Sequence, residues 1–219
     1  MATYVITGAS RGIGLEYCRQ LQSRGEEVIA VCRSTSEELA ALGVRVESNI
    51  DVTSDEAVAD LVRRLQGDRI DVLINNAGII KSDSLSSPNF DHIRQQFEVN
   101  ALGALRVTRA LLPLLHEGSK IVMMTSRMGS IEDNTSGGYY GYRMSKAAMS
   151  MAGKSLANDL RDRDIAVAIL HPGMVSTRMT NFSGISTEES VKNLIQRIDE
   201  LSLENTGTFW HAKGEVLAW

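Results

Sequence analysis

The chain has 219 residues, 43% hydrophobic and 23% charged, the balance of an ordinary globular protein long enough to bury a substantial core. A net charge of −4 argues against a nucleic-acid surface, which is normally basic, and no apolar run approaches the roughly 18 residues that would cross a bilayer. The only cysteines, Cys18 and Cys32, have neither paired nor metal-type spacing, so no disulfide framework or metal is expected, and a reducing cytoplasm suits them.

From the first residues, "MATYVITGAS" lacks the basic region and apolar block of a signal peptide and reads as a strand, "TYVIT" (3–7). An amphipathic helix follows over 13–23, then "EVIAVC" (27–32), a brief helix near 36–42, and "VRVESNI" (44–50). "DEAVADLVRRLQ" (55–66) repeats apolar residues at helical spacing, and "IDVLIN" (70–75) is again a strand. A long helical region over 89–116 leads to "KIVMMTS" (120–126), and a helix over 142–162 leads to "IAVAIL" (165–170). One more helix near 187–201 precedes a short strand within "GTFWH" (207–211). The strands are apolar on both faces, as strands covered by helices on each side must be. Such alternation, with no linker or repeat, predicts one α/β domain over 1–219: a doubly wound parallel sheet of Rossmann type with helices on both faces.

Between the first strand and first helix stands "TGASRGIG" (7–14). Glycines at 8, 12 and 14 permit a tight turn and let a helix N-terminus approach a bound group, usually a pyrophosphate in this fold. The spacing is G-x-x-x-G-x-G rather than G-x-G-x-x-G, and mere turn chemistry is the lesser alternative for such a loop, which the strand before it and the helix after it weaken further. At the end of the second strand an acidic residue would receive a ribose 2′-hydroxyl; Cys32 and Arg33 stand there instead. Arg33, with Arg11 in the glycine loop, suits a 2′-phosphate and so favours NADP over NAD, although both arginines also fit a solvated surface.

"GGYYGYRMSK" (137–146) presents three tyrosines before one lysine. With about 100° and ~1.5 Å per residue, Tyr142 lies one turn before Lys146 on the same helix face, whereas Tyr140 points to nearly the opposite side. Tyr139 can share the face but lies about 10 Å further along the axis. The glycines at 137, 138 and 141 imply that the helix has barely begun there. Only Tyr142 can meet Lys146 over one small molecule.

These motifs, with "DV" (51–52), "NNAG" (75–78), Asn100, Ser126, "YRMSK" (142–146) and "PGMVST" (172–177), occur in an order that resembles the short-chain dehydrogenase/reductase family across nearly the whole chain. The loop before Tyr142, the short region after "PG" and the tail "GTFWHAKGEVLAW" resemble its C-factor and Sniffer-like carbonyl reductase branch. The resemblance implies NADP(H) held by Gly8, Ser10, Arg11, Gly12, Ile13, Gly14 and Arg33, and by Asp51 and Val52 at the adenine ring. It also implies Asn75, Ala77 and Gly78 on the adenine-ribose side, Tyr142 and Lys146, and Pro172, Gly173, Val175 and Thr177 bordering the nicotinamide. Pro172 and Gly173 are also consistent with a mere turn, and Asn75 with a backbone-binding role.

The same resemblance names Asn100, Ser126, Tyr142 and Lys146 as the catalytic set. An ordinary tyrosine, with a pKa of ~10, is a poor acid–base group near neutrality; a charged Lys146 one turn away is expected to lower it. Ser126 would polarise a substrate carbonyl, with Thr125 and Ser130 as rival hydroxyls, and Asn100 would keep a water and Lys146 connected. The expected activity is NADPH-dependent reduction of an aldehyde or ketone; the alternative is a nucleotide-binding regulatory or signalling protein with little catalytic role. Apolar walls with scattered hydroxyls (Ile80, 128–136, Tyr139, 174–185) favour a small hydrophobic carbonyl substrate, and neither nucleic acid nor membrane is an expected partner. Leu111, Leu112, Leu114, Leu115, Met149 and Met151 exceed what one buried stripe requires, so a homo-oligomer, a dimer or tetramer, is expected.

Overall fold

Strands that are apolar on both sides need cover on both sides. In the computed structural model, which describes residues 1–219, seven strands form one sheet: β1 (Thr3–Thr7), β2 (Glu27–Val31), β3 (Arg45–Glu47), β4 (Ile70–Asn75), β5 (Leu115–Met124), β6 (Ala166–His171) and β7 (Phe209–His211). Their order is β3-β2-β1-β4-β5-β6-β7 and every pairing is parallel. The order reverses between β1 and β4, which opens a crevice at the carboxyl ends of those strands, the place where this topology binds ligands.

Alternate strand residues feed two cores. Val5, Ile29, Leu73, Met123 and Ile169 pack against α3 (Asp55–Arg64), α5 (Gly103–Leu111) and α6 (Tyr140–Asp159). Ile6, Ala30, Ile74, Val122 and Leu170 pack against α1 (Gly12–Ser23), α2 (Glu37–Ala41) and α7 (Thr187–Asp199). The remaining helix, α4 (Phe90–Phe97), runs into α5 through a π-helical turn, Glu98–Leu102. No helix is long and apolar enough to cross a membrane.

Several boundaries differ from the sequence reading. The expected third strand shrinks to three residues, because Ser48 to Ile50 leave the ladder and Asn49 takes a left-handed φ of 63°. The helix expected to 116 stops at Leu111; Pro113 sits in a 3₁₀ turn, and Leu115 begins β5 opposite Ile70. α6 starts at Tyr140 in spite of its glycines. The apolar excess offered for assembly is also partly spent within the fold: Leu111, Leu115 and Met149 are core residues, and the exposed aliphatic and methionine side chains on these helices are Leu102, Leu105, Met144 and Met151.

Candidate active site

The loops after β1, β2, β3, β4, β5 and β6 all leave the same edge of the sheet and carry the expected site residues there. The glycine loop is shaped by close approach: a Cβ on Gly14 would lie 2.3 Å from the Gly8 carbonyl oxygen, and Gly8 has a φ of 68°. α1 begins at Gly12 after Arg11 with no side-chain cap and no acidic residue in its first turn. α2, α3, α4 and α7 all differ, with Ser36, Ser54, Asn89 and Ser186 as N-caps and acidic first turns. An uncapped helix N-terminus behind a loop with no room for a Cβ at Gly8 or Gly14 fits a pyrophosphate, whose oxygens would take up the free N–H groups. Ser10 and Ile13 flank that turn half-buried, and Arg11 is exposed beside it.

The other expected contacts fall around this loop. Arg33 is 68% exposed, with only Asp51 near its guanidinium, at 3.9 Å. Burial alone would raise the Asp51 pKa, but the Thr53 N–H and hydroxyl, then Arg33 and Arg106, bring it below the usual carboxylate value. Val52 is buried against Gly103. Thr177 reaches the loop from the far side: a Cβ on Gly12 would lie 3.5 Å from its methyl group. Thr177 opens a short 3₁₀ turn with its N–H donating to Thr180 Oγ1 at 3.1 Å, while the neighbouring Val175 pairs with Ile185; Pro172 and Gly173 (φ 87°) make the preceding bend.

Asn75 sits elsewhere. Its side chain donates to Thr108 Oγ1 at 2.8 Å beneath the sheet edge, so any part it takes in holding a cofactor falls to its backbone. The residue that shapes the loop is Asn76, which sequence reasoning missed: its Nδ2 donates to the carbonyls of Thr7 (2.9 Å) and Gly8 (3.3 Å). Thr7 Oγ1 in turn accepts the N–H groups of Asn76 and Ala77. The doubled asparagine was the available signal, without a way to tell which of the two faces the loop.

Tyr142 and Lys146 share one face of α6, with Lys146 Nζ 5.9 Å from the centroid of the Tyr142 ring; both are less than 10% exposed. Ser126, just past β5, lies beside them in a turn packed so tightly that a Cβ on Gly129 would come within 2.8 Å of the Lys146 backbone. Its Oγ accepts the Met128 N–H at 3.1 Å, which leaves its own proton free to donate. Of the rival hydroxyls, Thr125 is committed to the Lys146 carbonyl and Ser150, whereas Ser130 accepts the Asp133 N–H and, like Ser126, keeps its proton; what favours Ser126 is its place beside Tyr142. Tyr139 and Tyr140 stay partly exposed at the helix start.

Electrostatics depart from expectation. Burial pushes the Tyr142 phenol up to about 12, with the Ser126 hydroxyl opposing. Burial also brings Lys146 down to about 8, although its Nζ donates to the Met124 carbonyl at 2.7 Å. Charge and sequence separation alone suggested a lowered phenol; in the folded chain desolvation of the hydroxyl is the largest effect and the Ser126 hydroxyl is what opposes it.

Asn100 lies within the π-helical turn, a feature frequent at functional sites. Its Oδ1 accepts the Ile79 N–H at 2.8 Å and its Nδ2 donates to the Ile79 carbonyl and to Ser145 Oγ, both at 2.9 Å. A Cβ on Gly78 would lie 3.3 Å from Asn100 Oδ1 and 3.6 Å from Lys146 Nζ, so the turn after β4 touches both.

This constellation lies at the edge of a doubly wound sheet, where such sheets bind nucleotides. The short chain dehydrogenase model matches residues 2–189, and the chain belongs to the short-chain dehydrogenase/reductase family. It is 45% identical, over the full length of both chains, to 1-hydroxy-2-glutathionyl-2-methyl-3-butene dehydrogenase of Rhodococcus sp. (strain AD45). The fold matches the carbonyl reductase Sniffer of D. melanogaster with a TM-score of 0.93 at 29% identity, covering all of both chains. The NADPH-bound carbonyl reductase from chicken fatty liver matches at a TM-score of 0.90 and 28% identity, covering 100% of this chain and 99% of that one.

Proposed function

We propose that the protein uses NADPH to reduce a small hydrophobic aldehyde or ketone, with Tyr142 as the acid–base residue. The observation that carries this reading is the buried Tyr142–Lys146 pair on one face of α6 with the Ser126 hydroxyl beside it. A binding-only module needs no such set, which counts against a purely regulatory role. NADPH is supported by the uncapped α1 N-terminus, by Arg33 in place of a carboxylate, and by the NADPH-bound chicken structure. A cytoplasmic location suits the two free cysteines.

A dinucleotide held by the glycine loop and Arg33 would supply the hydride. Ser126 donates its hydroxyl proton in a hydrogen bond to the substrate carbonyl oxygen and stabilises the charge that develops there. Tyr142, protonated at neutral pH, delivers its proton to the same oxygen. Lys146 donates to the Met124 carbonyl and, weakly, to Met149 Sδ, which leaves a donor for the cofactor ribose, while its charge helps hold the phenolate that remains. The Asn100 side chain is committed to Ile79 and Ser145, so a relay water would rest on the backbone of the π-helical turn.

Exposed apolar side chains ring the mouth on three loops, namely Leu85, Ile131, Tyr139, Met174, Met179 and Phe182, and support a hydrophobic substrate. The test is NADPH oxidation screened against aldehydes and ketones of increasing apolar size. The Rhodococcus relative is named for a glutathionyl-bearing alcohol, so the oxidative direction is screened with glutathione-conjugated alcohols and NADP. Absence of turnover in both screens, with NADPH bound, would turn the reading toward the regulatory alternative.

A further inference from the structure

We propose that Asp83 is a positioning residue for Tyr142, setting the first turn of the catalytic helix from a segment 57 residues away. The inference rests on the reading of Tyr142 as the proton donor. α6 brings no cap of its own. Its N-cap, Tyr139, is left-handed (φ 50°) and makes no side-chain cap, and Gly137 and Gly138 before it also have positive φ. Asp83 supplies what the helix lacks. Its Oδ1 accepts the Tyr140 N–H at 2.5 Å, its Oδ2 the Gly141 N–H at 3.1 Å, and its carbonyl the Tyr139 N–H at 3.1 Å. Three consecutive amides of the first turn are therefore held by one residue, and Tyr142 is the next residue along.

Asp83 is itself held. The segment 79–83 is tied at every second residue: Ile79 to Asn100, the Lys81 N–H to Gln96 Oε1 at 2.9 Å, and Asp83 to α6. Gln96 and Asn100 are one helical turn apart, so a period-two segment meets a helix face at matching intervals. Gln96 is fully buried, and its amide fills the space that Gly141 leaves open: a Cβ there would lie 2.4 Å from Nε2. The clamp thus fixes both ends of the contact between 79–83 and the start of α6, and with them the reach of Tyr142 toward Ser126. A misplacement of about 1 Å at a reacting group costs on the order of a hundredfold in rate.

The test is a double-mutant cycle in the intact protein. Asp83→Ala is expected to lower the single-turnover rate of NADPH-dependent reduction at least tenfold while the NADPH dissociation constant stays within about twofold. Asp83→Asn keeps one acceptor and turns a donor toward the other amide, and should fall between the two; it also stands in if the alanine variant fails to fold. In a Tyr142→Phe background Asp83→Ala should cost nothing further, which a merely structural cap would not show. Ser54→Ala removes an ordinary cap from α3 and should lower thermal stability without touching the rate. An unchanged rate in both Asp83 variants, or a full additional loss in the Tyr142→Phe background, overturns the proposal. An undiminished rate in Tyr142→Phe alone overturns the proton-donor reading, and this inference with it.

Discussion

Acid should unfold this protein partly through one imidazole. His171 closes β6 beside His211, ring centroids 5.1 Å apart, with its Nδ1 buried and without a hydrogen-bond partner. Burial, then the neighbouring His211, Arg127 and Lys146, bring its pKa from 6.5 to about 3; the Glu215 carboxylate acts on His211, where it raises the pKa. A base whose folded value is depressed is neutral in the native state while the unfolded chain takes a proton below 6.5. Stability is therefore complete above that value and is lost as pH falls from about 6.5 toward about 3. At about pH 4.5 the loss is roughly 2.7 kcal/mol at ~1.36 kcal/mol per unit, or about 2 kcal/mol after discounting for solvent at the ring edge. For a chain of this size that is about 4–8 °C in melting temperature. His171→Gln keeps the volume and cannot titrate. Melting both proteins at about pH 7 and about pH 4.5 isolates the effect, because the carboxylates that also respond to acid are common to the two. Equal losses in the two proteins would refute the assignment.

Tyr142→Phe should lower single-turnover reduction by about 10²–10⁴ with NADPH affinity little changed, whereas Tyr139→Phe and Tyr140→Phe keep most of the activity; stopped-flow NADPH oxidation reads all three. NADPH should bind at least tenfold more tightly than NADH, a charge-assisted contact from Arg33 contributing on the order of 1.5–3 kcal/mol, and Arg33→Asp should erode or reverse that preference in fluorescence titrations. A homodimer through the exposed Leu102, Leu105 and Met151 is expected in light scattering at micromolar concentration, and Met151→Glu should shift it toward monomer.

The parts of this molecule that the sequence reveals are those with short-range logic. Alternating periods locate all seven strands and place the glycine loop at a strand-to-helix junction, and an i,i+4 spacing selects Tyr142 over its neighbours. What escapes is whatever depends on a distant partner. Asp83 looks like any loop aspartate until α6 is folded against it. Asn75 and Asn76 are indistinguishable as letters, and only the sheet edge decides that the second faces the loop. Leu115 extends a helical apolar pattern, yet the ladder partner Ile70 claims it for β5. Solvation is invisible in the same way: proximity in sequence brings an ammonium to the phenol, but burial, set by the whole fold, decides the direction of the shift.

That direction has a consequence for catalysis. With its phenol held near 12 by burial, Tyr142 is a proton donor throughout the ordinary pH range. Reduction, which needs the donor, should run flat from about pH 6 to about pH 9. Oxidation needs the phenolate, whose fraction rises about tenfold per pH unit below the pKa, so its initial rate should climb through the same range without a plateau. Lys146 does not rescue the base at high pH, because burial brings it to about 8 and its charge is lost well before a phenol held near 12 ionises. Initial single-turnover rates measured separately in each direction avoid the equilibrium shift that pH also imposes. Were oxidation to level off below about pH 8, the phenol in the working complex would have a lowered pKa, and attraction to Lys146 and the cofactor, rather than burial, would govern the site.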